Sequence, residues 1–359
     1  MFKFRNIDAF VPGRFERMGM LKGKRWYINN QNIEDDINNM VLFKPKRRAF
    51  GDKKVFCANH YGELIGYLLA LGSRTQSCKV ELAHLSKYYE NKYKEKNHGT
   101  PIEKDGCIIY SHLEKNQILE HGRIVLENYI IRNYNTYKNT SNSIYNDIDT
   151  SIAAIESETR EFYNNSNIQR SKDYIEAKVD ENRKNAINMI IYDCLYGNND
   201  RHDENWALVK DTEGRDINLY SLYDNERVLG LYENIRTIED TLANNSIEKD
   251  SEKLFFSRMT IPGEKGKKSS YKDVLAYLIS SYSETEELLD KHLKGNPPIK
   301  VRMYLESCEN LPRPYINYGA KMYESRYNFA KDLIKKHKEN GNKNNKKSFE
   351  EGSDALGNR

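Results

Sequence analysis

The stretch from residue 197 to 206, GNNDRHDENW, decides how this 359-residue chain is interpreted. Before it, apolar residues recur at helical spacing from position 187 to 195, which predicts a helix over residues 180–196 with one buried face. Gly197 fits the left-handed position that ends many helices. The polar stretch is therefore predicted to be a loop held by a buried helix, and such loops often carry catalytic groups.

Two β-prone runs follow this loop, at residues 206–209 and 217–223, and the turn at 211–214 separates them. This pattern predicts a β-hairpin. Because a hairpin returns the chain to its starting point, Asp224 is predicted to lie close to Asn205.

The residue types in this region suit phosphoryl transfer, which requires positioning of the reactants and neutralisation of phosphate charge. Mg²⁺ supplies that neutralisation and binds oxygen ligands, often only one or two from the protein. We interpret Asn205 and Asp224 as metal ligands and Asp200 as the group that accepts or orients the substrate's hydroxyl proton. Each residue alone is typical of an ordinary turn or cap; the joint pattern favours a catalytic role.

Other phosphate and metal sites fit the sequence less well. An EF-hand requires a central glycine that this loop lacks, and the chain has no GxxxxGK[ST] phosphate loop. His202 has no second histidine or cysteine at zinc-ligand spacing. We interpret His202 as a residue that orders the loop, with a catalytic role as the alternative.

Asp200 and Asn205 have the Asp-x-x-x-x-Asn spacing of the protein-kinase catalytic loop. With the preceding Gly-Asn, the Arg-His that follows Asp200 and the later Tyr-Asp, the pattern resembles the catalytic core of HipA-like serine/threonine kinases. The resemblance extends faintly over residues 19–335. It implies that Asp200 is the catalytic base, that Asn205 and Asp224 bind Mg²⁺, and that ATP is the phosphoryl donor.

The resemblance also suggests residues that contact the nucleotide. Lys44, at the end of a β-prone run, matches the strand lysine of the family, although an isolated lysine at a strand end is usually a surface residue. Glu63 could pair with Lys44 as the kinase αC glutamate does, or it could be an exposed glutamate favoured by the helix dipole. Gly19 and Gly23 could belong to a flexible loop that covers the phosphates.

The expected fold is α+β and two-lobed, as in protein kinases. We predict a small β-rich N-terminal lobe over residues 1–112, a larger α-rich lobe over 113–338 and a disordered tail over 339–359. The predicted strands cover residues 26–28, 40–44, 79–85 and 107–110, and the further predicted helices cover 62–71, 118–134, 271–282 and 315–336.

Composition excludes several function classes. The 57 basic and 53 acidic residues give a net charge of only +4, and much of the excess lies in the C-terminal tail, so we expect no direct contact with nucleic acid. Five scattered cysteines without a CxxC pair indicate a reducing, cytoplasmic location. No apolar run approaches the roughly 18 residues of a membrane span.

The expected partner is a protein substrate with a serine or threonine acceptor, and an antitoxin-type regulator is possible. HipA toxins carry a further N-terminal subdomain, whereas here the core begins almost at once, which argues against a DNA-bound antitoxin partner. Two alternatives remain open: a small-molecule kinase on the same fold, and a non-catalytic interaction protein.

Overall fold

The computed structural model describes residues 1–6, 10–12, 25–29, 40–47, 55–85, 103–114, 116–138, 147–249, 260–262 and 269–356, with the single residues 87, 91 and 145. The strands are β1 (Arg5–Asn6), β2 (Phe10–Pro12), β3 (Arg25–Asn29), β4 (Met40–Pro45), β5 (Val80–His84), β6 (Asp105–Tyr110), β7 (Gln117–His121), β8 (Ala207–Asp211) and β9 (Ile217–Leu219). The helices are α1 (Asn59–Gly72), α2 (Gly122–Arg132), α3 (Tyr134–Tyr137), α4 (Ile148–Asn165), α5 (Lys172–Tyr196), α6 (Ile235–Ala243), α7 (Tyr271–Ser281), α8 (Thr285–Gly295), α9 (Pro298–Glu306) and α10 (Arg313–Leu356), with a 3₁₀ turn at Val228–Gly230.

The first sheet has the strand order β1-β5-β6-β4-β3-β2, in which β1 runs parallel to β5 and the other pairs are antiparallel. Along β4, Val41 and Phe43 lie on one face and pack with Ile108 of β6. Side chains alternate along a strand, so Lys44 lies on the opposite face, towards α1. Because side chains alternate along residues 41–45, the ammonium group of Lys44 lies beneath α1.

The second sheet is antiparallel, with the order β7-β8-β9. The predicted hairpin is confirmed as β8 and β9. The single helix predicted over residues 118–134 is wrong at its start, because β7 occupies Gln117–His121 and pairs with β8. The helix begins only at Gly122, where a Cβ would overlap the ring of Trp206. Pairing with a strand some 90 positions away has no signal in the local sequence.

Helix α5 lies at the centre of the helical part, and every residue from 186 to 196 is buried. The prediction of a helix over 180–196 is confirmed, with an earlier start at Lys172, where the side chain of Ser171 accepts a hydrogen bond from the N–H of Tyr174. Gly197 has φ +74°, the left-handed conformation expected from the sequence. The catalytic-loop candidate therefore begins from a rigid base.

Helix α10 is drawn as far as Leu356, and the disordered tail expected over residues 339–359 stays a prediction. Helices α4, α8 and α9 were not anticipated. Their apolar spacing is interrupted by polar and charged residues, so periodicity alone does not identify them.

Short sheets separated from a helical bulk confirm the predicted α+β class. The lobe boundary near residue 112 stays a prediction. Among the described residues, none of the helices combines the length and the apolarity needed to cross a bilayer.

Candidate active site

Lys44 is the point at which several predicted site residues meet. It is 1% exposed, and its ammonium group contacts the carboxylates of Glu63 and Asp224. Its Nζ also lies 2.9 Å from Oε2 of Glu226. Asp224 is 180 positions away in the chain, so tertiary structure brings these groups together. The burial rules out the alternative of a surface lysine.

Glu63 connects three parts of the site. It lies near the start of α1 and is 1% exposed, which excludes the alternative of an exposed helix-start glutamate. Its Oε1 contacts Lys44, and its Oε2 accepts a hydrogen bond from the backbone N–H of Asn225 at 2.9 Å. Glu63 thereby fixes β4, α1 and the segment around Asp224 relative to one another.

Two glycines on α1 allow this segment to approach the helix closely. A Cβ at Gly62 would overlap the backbone carbonyl of Glu226, and a Cβ at Gly66 would lie 2.6 Å from Cβ of Asn225. Contacts this short do not occur in folded proteins, so α1 would have to move away if either glycine were substituted. The position of Glu63 depends on these small residues.

Asp224 adopts a backbone conformation that few residues other than glycine use, with φ +56°. Aspartate tolerates the left-handed region better than most side chains. The backbone of both neighbouring residues is hydrogen-bonded: the Tyr223 carbonyl accepts a hydrogen bond from Arg201 at 2.7 Å, and the Asn225 N–H donates to Glu63. These bonds hold the turn that brings the Asp224 carboxylate to Lys44.

Glu226 and Arg47 belong to the same ionic cluster and were missed by sequence reasoning. Arg47 Nη1 lies 2.9 Å from Oε1 of Glu226, whose other oxygen faces Lys44. An acidic residue two positions after Asp224 and an arginine three positions after Lys44 were the available signals. Neither indicates a site without knowledge of the fold.

Charge and burial act against each other in this cluster. Burial alone would lower the pKa of Lys44, but the negative charges of Asp224, Glu226 and Glu63 outweigh it and raise that pKa well above its ordinary value. Burial raises the pKa of Glu63, and the attraction of Lys44 only partly offsets this. Lys44 therefore stays charged among an excess of carboxylates.

Arg201 anchors the candidate catalytic loop from inside the protein. It is 1% exposed and pairs with Asp193 of α5 through Nε and Nη2. Its Nη1 donates to the backbone carbonyls of Asn205 and Tyr223, both at 2.7 Å, and its Nη2 also donates to Oδ1 of Asn225 at 2.9 Å. One guanidinium thus joins the loop to the segment that carries Asp224. No pattern in the sequence indicated that this arginine is buried.

Asp200 and Asn205 contact each other across the loop. Nδ2 of Asn205 donates to the Asp200 carbonyl at 2.7 Å, which leaves Oδ1 as the side-chain atom that could bind a cation. Oδ2 of Asp200 lies 3.2 Å from Nε of Arg227. The guanidinium of Arg227 is placed 4.6 Å over the ring of Tyr232. Arg227 is a further residue that the sequence did not identify.

His202 makes contacts within the loop. Its N–H donates to the Asp200 carbonyl at 3.0 Å, its carbonyl accepts from the Asn205 N–H at 2.8 Å, and its Nδ1 accepts from the Glu204 N–H at 3.2 Å. These bonds fit the interpretation of His202 as a loop-ordering residue. Gly19 and Gly23, the candidates for a phosphate-covering loop, lie outside the described residues.

The oxygen donors present fit a hard divalent cation. The carboxylate oxygens of Glu63, Asp224 and Glu226 include atoms that all lie within 4.8 Å of one another. Mg²⁺ prefers carboxylate and amide oxygens, and Asp224 and Asn205 offer one of each. A cation beside Asp224 would also relieve the excess of negative charge around Lys44.

Comparison of the fold finds a kinase of known structure. The proinflammatory kinase CtkA of Helicobacter pylori superimposes with a TM-score of 0.68 over 94% of this chain and 98% of its own, at 12% sequence identity. HipA of Shewanella oneidensis, from a complex with HipB and operator DNA, matches with a TM-score of 0.46 over 82% of this chain and 60% of its own, at 11% identity. No family profile and no curated protein matches the sequence. The match to CtkA shows that the chain has a kinase-like fold.

Proposed function

We propose that this protein is an ATP- and Mg²⁺-dependent kinase of the HipA-like type, which phosphorylates serine or threonine on a protein. The observation that best supports the proposal is the contact of Lys44 with both Glu63 and Asp224. A strand lysine, a helix glutamate and a metal-binding aspartate must be assembled for kinase activity. The likeness of fold to CtkA supports it separately.

Each proposed role uses a group described above. Lys44 binds phosphate oxygens and exchanges its contact with Asp224 for them, while Glu63 keeps its ammonium group in place. Asp224 and Oδ1 of Asn205 hold Mg²⁺, which neutralises charge on the phosphates. Asp200 accepts the proton of the acceptor hydroxyl, and Arg227 orients its carboxylate.

The test is phosphoryl transfer from labelled ATP with Mg²⁺, by wild type and Asp200→Ala. We expect autophosphorylation or transfer to protein substrates by wild type, and a loss of at least about 100-fold in the variant, as expected when a catalytic base is removed. Thermal stabilisation by ATP and Mg²⁺ should persist in Asp200→Ala. The exposed Glu204→Gln, in the same loop, is the matched control and should transfer as wild type does.

The outcomes separate the competing functions. Equal transfer by wild type and Asp200→Ala would show that Asp200 is not the base. Absence of any stabilisation by ATP and Mg²⁺ would favour a non-catalytic interaction protein. Labelling of small alcohols but of no protein would favour a small-molecule kinase. The antitoxin-type regulator and the cytoplasmic location stay predictions from the sequence.

A further inference from the structure

A cavity of about 260 Å³ lies at the amino-terminal end of α1, and none of the proposed catalytic residues lines it. Its walls come from the first sheet with α1 and also from the C-terminal helices. Lys46 follows β4, His84 ends β5 and His60 lies in the first turn of α1, whereas Tyr315 belongs to the start of α10. A molecule in this cavity would contact the first sheet and the C-terminal helices together.

Aromatic rings form part of the walls, beside polar and charged groups. Phe4 stacks on the ring of His84 with centroids 4.3 Å apart, and it meets Tyr61 edge-on at 6.1 Å. Lys46 lies 5.2 Å over the ring of Phe56. An apolar cavity of roughly 150 Å³ is enough to hold benzene, so this cavity has room for one or two fused rings.

His60 supplies a polar atom without a partner. It is 2% exposed, and its Nδ1 makes no hydrogen bond to any residue that the structure describes. Two other polar side chains of the wall are paired: Tyr61 donates to the Glu309 carbonyl at 2.6 Å, and His84 Nδ1 lies 2.8 Å from Oδ1 of Asp105. A buried polar atom left unpaired is unfavourable, and a ligand that pairs with it gains affinity.

The charges around the cavity favour a neutral ligand. Lys46 is basic, and Asp105 and Glu309 are acidic. An anion would therefore meet two carboxylates and a cation would meet the ammonium group. Burial lowers the pKa of His60 to about 3, and the nearby Lys46 and His84 add to this effect. His60 is thus a neutral imidazole, which can donate or accept one hydrogen bond at Nδ1.

We propose that this cavity binds a small, neutral aromatic molecule through a hydrogen bond to His60, and that this binding is coupled to the contact between Lys44 and Glu63. His60 and Glu63 are three positions apart on α1 and so occupy neighbouring turns of one helix face. A ligand that fixes the first turn of α1 also fixes Glu63. This coupling rests on the proposed function, whereas the binding itself does not.

The binding test uses the full chain without nucleotide and three probes: indole, benzoate and benzylamine. Titration calorimetry should show saturable binding of indole and weaker binding of both charged probes. With ¹⁵N-labelled histidine, the His60 resonance should shift on addition of indole. His60→Leu should weaken indole binding about tenfold, the equivalent of one hydrogen bond, and Ala58→Phe should abolish it by filling the cavity.

The exposed His337→Leu on α10 is the control and should bind indole as wild type does. No saturable binding of indole, or tighter binding of a charged probe, would overturn the proposed site. Equal indole affinity of wild type and folded His60→Leu would overturn the role of His60, even if Ala58→Phe does not fold.

The coupling test measures ATP–Mg²⁺ affinity with and without saturating indole. We expect a change of at least about fivefold, within the range of typical allosteric coupling, and the same change in indole affinity when the nucleotide is saturating. Indole binding with unchanged nucleotide affinity would overturn the coupling. Failure of nucleotide binding altogether would instead reject the proposed kinase function and leave the indole result standing.

Discussion

Arg201 and Asp193 form a buried, two-pronged ion pair, in which Nε and Nη2 of the arginine donate to separate carboxylate oxygens at 2.9 and 3.1 Å. The planar guanidinium matches a carboxylate in a way that a lysine ammonium group does not. Because Nη1 of the same group also holds the carbonyls of Asn205 and Tyr223, the pair supports both halves of the candidate site.

Replacing Arg201 by methionine should destabilise the fold strongly. The change leaves Asp193 buried and without its cationic partner, so we expect the free energy of unfolding to fall by about 3–5 kcal/mol. Urea unfolding checks the value. Arg302→Met removes an exposed pair with Glu306 and should change stability by less than about 1 kcal/mol. Similar losses in the two variants would contradict the structural role of Arg201.

Replacing Asp224 by asparagine should separate activity from stability. Asparagine tolerates the positive φ of this position, and the change removes one of three carboxylates that crowd a single ammonium group. We therefore expect an unfolding free energy equal to or above that of wild type, together with at least about a 100-fold loss of phosphoryl transfer. Urea unfolding and labelled-ATP assays give the two values. Retained transfer would reject Asp224 as a metal ligand, and a large loss of stability would reject the charge argument.

Gly62→Ala should be harmful although alanine is the better helix former. A free helix would gain about 1 kcal/mol from this change, but the new Cβ would overlap the Glu226 carbonyl. We expect a net destabilisation of about 1–3 kcal/mol, as in overpacked cores, and weaker nucleotide binding because Glu63 moves. Leu71→Ala, at an exposed position of the same helix, is the control. A Gly62→Ala protein as stable as wild type would show that α1 need not pack against residue 226.

Stability should decrease with acidification because of two buried histidines. Burial is the main cause that lowers the pKa of His60 and of His292 to about 3, whereas a histidine in the unfolded chain has a pKa of about 6.5. As the pH falls below about 6.5, these two imidazoles become protonated in the unfolded chain but stay neutral in the folded protein. Each histidine then costs about 1.4 kcal/mol of unfolding free energy per pH unit, down to about pH 3.

Urea unfolding between about pH 6 and pH 5 checks this dependence. Other groups also titrate in this range, so the informative quantity is the difference between wild type and His60→Leu. In the variant, the slope of the unfolding free energy against pH should be shallower, by the amount that corresponds to the uptake of close to one proton on unfolding. Identical slopes would show that His60 is not kept neutral in the folded protein.

Sequence patterns predicted best the features that depend on neighbouring residues. The apolar spacing before Gly197 identified the core of α5, and the β-branched and aromatic runs identified β4 and the hairpin. The strand β7 was not predicted from the sequence because its stability comes from pairing with β8. A run with helical spacing becomes a strand when a distant partner supplies the hydrogen bonds.

The residues of the candidate site also fall into those that could be predicted from the sequence and those that could not. Asp224 could be proposed from the hairpin that returns the chain to the loop, and Lys44 and Glu63 because a family resemblance supplied their positions. The structure brings these three together. Glu226 and Arg201 have no short motif around them that distinguishes a buried ionic partner from a solvated surface charge. Their roles depend on which elements meet in space, so only the fold identifies them.

The crowding of three carboxylates around Lys44 has a consequence for the order in which ligands arrive. For the proposed kinase, free ATP is a polyanion and would be repelled as it approaches this group of like charges. ATP that already carries magnesium brings a cation to the carboxylates and a phosphate to the ammonium group at the same moment. If the proposed function holds, the site would thereby favour the metal complex of ATP over free ATP before any chemistry begins.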